Sequence, residues 1–369
     1  MHEDDWRVVT PLRKEPLMHR RTFLTSVSGL AATGVALPAV GSSPSGIRNT
    51  SNTLPRKVII GTAIQDLWGS YPGLRQRLDQ LTSLVDRMVE QSDKKYGRGP
   101  DLAILTETAV TGEAGKDARA CAVPLDGPLR EAFSRKATEH RCYIVVPTYL
   151  LAVDGKQCSN AAILFGRDGA VAGIYRKVHL VVATDSETME SGSTLGTEMP
   201  VFQCDFGRLG IQICYDMEFD RGWDELARHG CELVAWPTQS PQTATPAFRA
   251  MRGRSYIVSS TWRHNASVFE PSGRIAAQIR PPENVLTYEI DLSYAILPWT
   301  AKLENGKALQ KKFGDRVAFH YYEDEDRGIF WSNDPRMTIR EMVRSLGLEE
   351  QHEQFARVQQ VYRKAGLRE

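Results

Sequence analysis

The stretch GIQICYDMEFD (Gly210–Asp220) decides how this chain is read. An apolar run ends in a cysteine, and an abruptly polar segment follows. A short apolar run bounded in this way reads as a buried strand, so Cys214 is either core filling or a nucleophile delivered to the mouth of a sheet. Two other apolar runs end alike: LAILTETAVTG (Leu102–Gly112) leads into Glu107, and AVAGIYRKVHL (Ala170–Leu180) leads into Lys177. In layered α/β proteins, sites gather at the carboxyl ends of strands. An acid, a base and a thiol so placed make a set.

The set has a chemical logic. A thiol attacks well only when its proton is removed, so it needs a base within reach and a nearby positive charge. Glu107 is suited to take that proton and return it to a leaving amine. Lys177 and the backbone N–H of Tyr215 are suited to stabilise an oxygen that becomes negative under attack. Taken singly, each residue has a plain reading: a surface carboxylate, a solvated lysine, and an inert thiol of the kind expected at Cys142 and Cys204.

From Lys57 onward, β-branched apolar runs alternate with amphipathic segments. LRQRLDQLTSLVDRMVEQ places Leu74, Leu78, Leu81, Val85 and Met88 on one helical face, whereas KVIIGTAIQ, CYIVVPTYLL and CELVAWPT read as strands. Asp154-Gly155 and Asp168-Gly169 signal hairpins. The pattern predicts a layered α/β (α+β) domain over residues 57–292, ending with the strand NVLTYEIDL. Residues 293–369 carry the acidic run EDEDR (323–327) and a helical pattern from Thr338. They read as an extension too small for a core of its own, packing on the domain or on a partner subunit.

Charge and composition narrow the function classes. With 46 basic against 45 acidic residues the formal net charge is +1, which offers no attraction to nucleic acid or to an anionic membrane. TIREMVRSLGL (338–348) lacks the basic surroundings of a DNA-reading helix. The six cysteines form no CxxC pair, and the histidines are scattered, so no metal site is expected. Residues 1–41 read as a twin-arginine export signal: Arg20 and Arg21 precede a weakly apolar run from Val27 to Val40, with Ala39-Val40-Gly41 as the cleavage site. That run is short for a membrane span, which needs about 20 apolar residues. Met18 offers a second start, and residues 42–56 form a polar linker.

ETAVTG, YRKVHL and CYDMEF resemble, in order and separation, the three signature segments of the nitrilase or carbon–nitrogen hydrolase superfamily. The resemblance spans Lys57 to Leu292. It implies a four-layer αββα sandwich, a Glu107-Lys177-Cys214 triad without metal or cofactor, and at least a homodimer joined through the nucleophile-side helices. It also implies a second glutamate that positions the lysine. Glu190, in MESGSTLG, fits that place, with Glu187 in reserve. Three departures stand out: Thr106 replaces a proline, Asp220-Arg221 replaces Pro-Glu, and Arg252-Gly253 replaces Glu-Asn.

Trp236, Thr238 and Gln239, in AWPTQSP, fall where the resemblance puts a pocket wall beside Tyr215, with Tyr149 and Trp262 as weaker candidates. His179 reads as a packing residue, Asp216 as a partner of the turn's backbone, and Asn160 as a strand-end residue. The expected activity is hydrolysis of a small-molecule amide or N-carbamoyl (ureido) group by an exported, periplasmic or secreted enzyme. Hydrolysis of a nitrile is the rival within the class. A catalytically silent assembly protein is the rival outside it.

Overall fold

The computed structural model describes residues 50–367 except 116, 185 and 186. The twin-arginine segment lies outside the described residues. After a short turn at Thr50–Asn52 come β1 (Lys57–Ala63), α1 (Leu74–Tyr96), β2 (Leu102–Ile104), α2 (Ala118–Cys121), α3 (Pro128–His140), β3 (Tyr143–Leu151), β4 (Cys158–Phe165) and β5 (Val171–Arg176). A second run comprises β6 (Val201–Gln203), β7 (Arg208–Ile211), α4 (Asp220–Arg228), β8 (Leu233–Thr238), α5 (Ala244–Gly253), β9 (Tyr256–Thr261), β10 (Ala266–Phe269), β11 (Ile275–Ile279) and β12 (Val285–Asp291).

Two six-stranded sheets result, with strand orders β12-β1-β2-β3-β4-β5 and β11-β10-β9-β8-β7-β6. Alternation along each strand assigns the layers, because successive side chains point to opposite faces. Leu102, Ile104 and Val145 join Ile211, Leu233 and Ala235 in the core between the sheets. Ala103, Ile144 and Val146 face the other way, onto Leu81, Val85 and Met88 of α1 and Phe133 of α3. Val234 and Trp236 face outward from the second sheet, onto Trp223 and Leu226 of α4 and Ala250 of α5. The order is helix, sheet, sheet, helix, as the resemblance implies.

The C-terminal extension departs from expectation. β13 (Tyr294–Pro298), α6 (Lys307–Phe313), β14 (Val317–Tyr322), β15 (Arg327–Ser332) and α7 (Ile339–Ser345) follow, then α8 (Gln351–Lys364). They form a third sheet, β13-β15-β14, and a core of its own in which Leu297, Leu309, Phe330, Ile339 and Met342 are buried. The opposite face of the same strands sends Tyr294, Ile296 and Ile329 into the core between the large sheets. The extension supplies this core entirely from its own buried residues, 295 to 348, and packs on the main domain through the other face of β13 and β15. Thr50 and Ser51, inside the expected linker, are buried against this module; Ser51 Oγ donates to Glu350 at 2.6 Å. Among the described residues, no helix is long and apolar enough to cross a membrane.

Candidate active site

The segments that carry Glu107, Glu190 and Cys214 each run through a distorted turn. Thr108, directly after Glu107, has φ 49°; Glu190 and Ser191 have 30° and 58°; Cys214 has 43°. Left-handed backbone costs a non-glycine residue about 1–3 kcal/mol, and such residues cluster where surrounding structure over-determines them. Here the surroundings are visible. Buried Arg77 holds the carbonyls of Ala109 and Gly112, at 3.1 and 3.3 Å. The Trp262 indole donates to the Glu107 carbonyl at 2.8 Å. Thr106, where a proline was expected, uses its hydroxyl to reach across to Thr238 O at 3.0 Å, tying the two sheets together just before Glu107.

Lys177 follows β5 and is fully buried. Its Nζ lies 2.9 Å from Glu107 Oε1 and 2.8 Å from Glu190 Oε2. Burial opposes its charge, but the carboxylates of Glu107 and Glu190 and the Cys214 sulfur outweigh that and hold the ammonium well above its ordinary pKa. The Glu190 carboxyl is raised by burial and by the Glu107 charge, against the pull of Lys177. Glu187 is exposed; Glu190 is the loop carboxylate in ion-pair contact with Lys177. The loop passes close enough to do this because Gly196 has no Cβ, which would sit 2.1 Å from Arg176 O.

Cys214 opens the turn after β7, half-buried. Its thiol is pushed up to about 12, by burial first and then by the Glu107 charge, partly offset by Lys177 and by hydrogen bonds from Thr238 and the Gln239 backbone. A thiol raised this far is favoured in its protonated form, and it shares its cleft with the Glu107 carboxylate. Glu107, Lys177, Glu190 and Cys214 line one cleft of about 620 Å³, together with Tyr149, Val181, Ser191 and Gln239. The carbon-nitrogen hydrolase family model matches residues 71–297.

The chain belongs to the carbon-nitrogen hydrolase family. Omega-amidase NIT2 of Danio rerio is 25% identical over 224 residues, 54% of this chain and 79% of that protein. Beta-ureidopropionase of Arabidopsis thaliana is 25% identical over 241 residues, 62% of this chain and 58% of the other. In structure the hydrolase resembles Saccharomyces cerevisiae Nit3, of branch 10 of the nitrilase superfamily, with a TM-score of 0.56 at 20% identity; the match covers 64% of this chain and 91% of that one. A CN-hydrolase superfamily protein of Xanthomonas campestris, with an arsenic adduct in its active site, matches with a TM-score of 0.53 at 20% identity, over 63% and 90% of the two chains.

The remaining pocket-wall expectations divide. Gln239 lines the cleft, and its N–H donates to Glu107 Oε2 at 3.2 Å. Trp236 does not line it. Strand parity turns its ring beneath α4 and α5, where its Nε1 donates to the Cys214 carbonyl at 3.1 Å. Thr238 is fully buried, accepts the Ser240 N–H at 2.8 Å, and meets the site through the sulfur. The Tyr215 ring stands partly exposed, edge-on to Phe219.

Asp216 is buried and joins two of the signature segments. It accepts from Ile213 N, His179 N and His179 Nδ1, each at 2.9 Å, and from Tyr175 Oη at 2.7 Å. His179 and Tyr175 flank Lys177, so this one carboxylate fixes the lysine segment to the Cys214 turn. The unusual Asp220 pairs with buried Arg249, which also donates to Met217 O at 3.2 Å. Arg252 lies outside the cleft lining and pairs with Asp224 on the outer helices.

Asn160 was missed as a site residue. Its Nδ2 donates to Glu107 Oε1 at 2.9 Å and also to Glu190 Oε1. The signal was the register: the strand pairing that sets Ala161 opposite Arg176 sets Asn160 beside Lys177. Among the described residues, the groups Asp86/Glu139/His140 and Glu350/His352/Glu353 have metal-ligand types close together. Both lie outside the cleft lining, and Lys136 and Arg340 respectively pair with them.

Proposed function

We propose that this carbon–nitrogen hydrolase cleaves the amide or N-carbamoyl group of a small molecule through a thioester on Cys214. Convergence of Glu107, Lys177 and Cys214 on one cleft carries the reading. Glu107 takes the thiol proton as sulfur bonds to the carbonyl carbon. Lys177, helped by the Tyr215 N–H, stabilises the oxyanion; one such donor contributes about 3 kcal/mol to the transition state. The C–N bond then breaks, and the nitrogen leaves with the proton from Glu107. Water, deprotonated by Glu107, attacks the thioester; the C–S bond breaks and the proton returns to sulfur. The sum is amide plus water giving acid plus ammonia or amine.

The names of the relatives, an omega-amidase and a beta-ureidopropionase, favour amide-type substrates over nitriles. The test is intact-protein and peptide mass spectrometry after mixing with a panel of amides, ureido acids and nitriles. An acyl adduct on Cys214, absent from Cys214→Ala, is expected. A Cys214→Ala protein that still releases ammonia at the wild-type rate would overturn the assignment.

Two further elements belong to this reading. The leader 1–41 exports the enzyme by the twin-arginine route, through linker 42–56, to the periplasm or beyond, leaving the catalytic domain 57–292 and the extension 293–369. N-terminal sequencing of exported protein tests this, with a first residue near Ser42 expected. The enzyme associates at least as a homodimer through α4 and α5, where Phe219 and Phe248 are exposed; sedimentation of a Phe248→Glu variant as a monomer is the expected result.

A further inference from the structure

We propose that Asn160 is a positioning residue that holds Glu107 and Glu190 on the two flanks of Lys177 and so sets the acid limb of the pH profile. The proposal rests on the function above. Asn160 lies in β4, and its backbone carbonyl accepts the Lys177 N–H at 2.8 Å. Any residue would make that bond. The side chain does something further: one Nδ2 serves carboxylates from two separate loops, and the Glu107 oxygen that it meets is the one bonded to Lys177 Nζ. Asn160, Glu107, Lys177 and Glu190 close a ring.

The amide's orientation follows from the ring. Turned over, its carbonyl would face two carboxylates, so Nδ2 must point inward. The consequence is a buried Oδ1 with no hydrogen-bond partner among the described residues. Leaving a buried acceptor unmet opposes folding, and a residue serving only the strand end would need no amide. A leucine there would strip a donor from each acid. An aspartate would add a third negative charge.

The titratable groups facing Asn160 come from four elements. They are Lys177 after β5, Glu107 after β2, Glu190 in its loop and Tyr149, its direct partner on β3; Cys214, after β7, lines the same cleft as these four. Hydrogen bonds donated to a carboxylate favour its charged form. Removing them therefore disfavours the charged carboxylates on the two flanks of Lys177, and with them the base that takes the thiol proton.

The test follows turnover against pH, beside Cys214 alkylation by iodoacetamide read by peptide mass spectrometry and far-ultraviolet circular dichroism. Asn160→Leu is expected to move the acid limb up by about one pH unit and to lower turnover. Asn160→Ser, which keeps one donor, is expected to fall between Leu and wild type, and it decides the matter if the Leu variant does not fold. A limb unmoved in folded variants, whatever their rate, overturns the role of Asn160 and leaves the triad standing. Wild-type Cys214 reacting no faster than Cys158, with no limb, overturns the triad reading and this proposal together.

Discussion

The indole Nε1 of Trp236 donates to the carbonyl oxygen of Cys214, 3.1 Å away, from the helix side of the second sheet. This contact holds the Cys214 backbone at φ 43°. Trp236→Phe keeps the ring and removes the donor. Stability should fall by about 1–3 kcal/mol, the cost of an unmet buried carbonyl, measurable by urea denaturation. Turnover should fall with it while KM stays near the wild-type value, because the ring does not line the cleft.

Glu107→Gln separates charge from base. The Glu107 carboxylate is second only to burial in raising the Cys214 thiol, so its removal should lower that thiol from about 12. More thiolate should then be present at any pH below that point, visible in the ultraviolet absorbance of the thiolate. Turnover should nonetheless drop by about 10²–10⁴-fold, the usual worth of a general acid–base. A variant that gained thiolate and kept its rate would show that Glu107 is not the base.

Lys177→Met breaks a fully buried pair on two sides. Two carboxylates would be left without their cation, which costs about 3–5 kcal/mol when a buried pair loses one partner. The loss should ease in acid, where protonation of Glu190, already favoured by burial, relieves the repulsion. Thermal melts from neutral to mildly acid pH should therefore converge with wild type on the acid side.

Asp220 and Arg249 are unequal partners. Asp220 is largely exposed and Arg249 buried, so Asp220→Ala should cost no more than about 1 kcal/mol. Arg249→Leu also deprives the Met217 carbonyl of its donor, directly behind the nucleophile turn, and should cost about 1–3 kcal/mol more. A double-mutant cycle in urea measures both; equal costs would mean that the Met217 contact contributes nothing.

Much of the fold was legible because burial on both faces leaves a pattern in the residues. The strands ending in Glu107 and Cys214 are short apolar runs, and α1 shows its buried face at helical spacing. The core of the extension escaped a local count because its apolar residues are spread over three strands and two helices that meet only in the folded chain. Trp236 was misread for want of parity: beside Thr238 and Gln239 it looked like pocket wall, and only the pleat of β8 turns it outward.

The sequence by itself determined the chemistry on offer: an acid, a base and a thiol, each at the end of an apolar strand, because local hydrophobic pattern dictates where strands stop and which residue comes next. Only the tertiary structure decided the company those groups keep. Asn160 meets Glu107 through the β2-β3-β4 pairing and Glu190 through the return of a distant loop, and Asp216 meets His179 across the two sheets. Hydrogen bonds of that kind depend on ångström-scale approach between segments 30 to 53 residues apart, and no property of either segment alone encodes that approach.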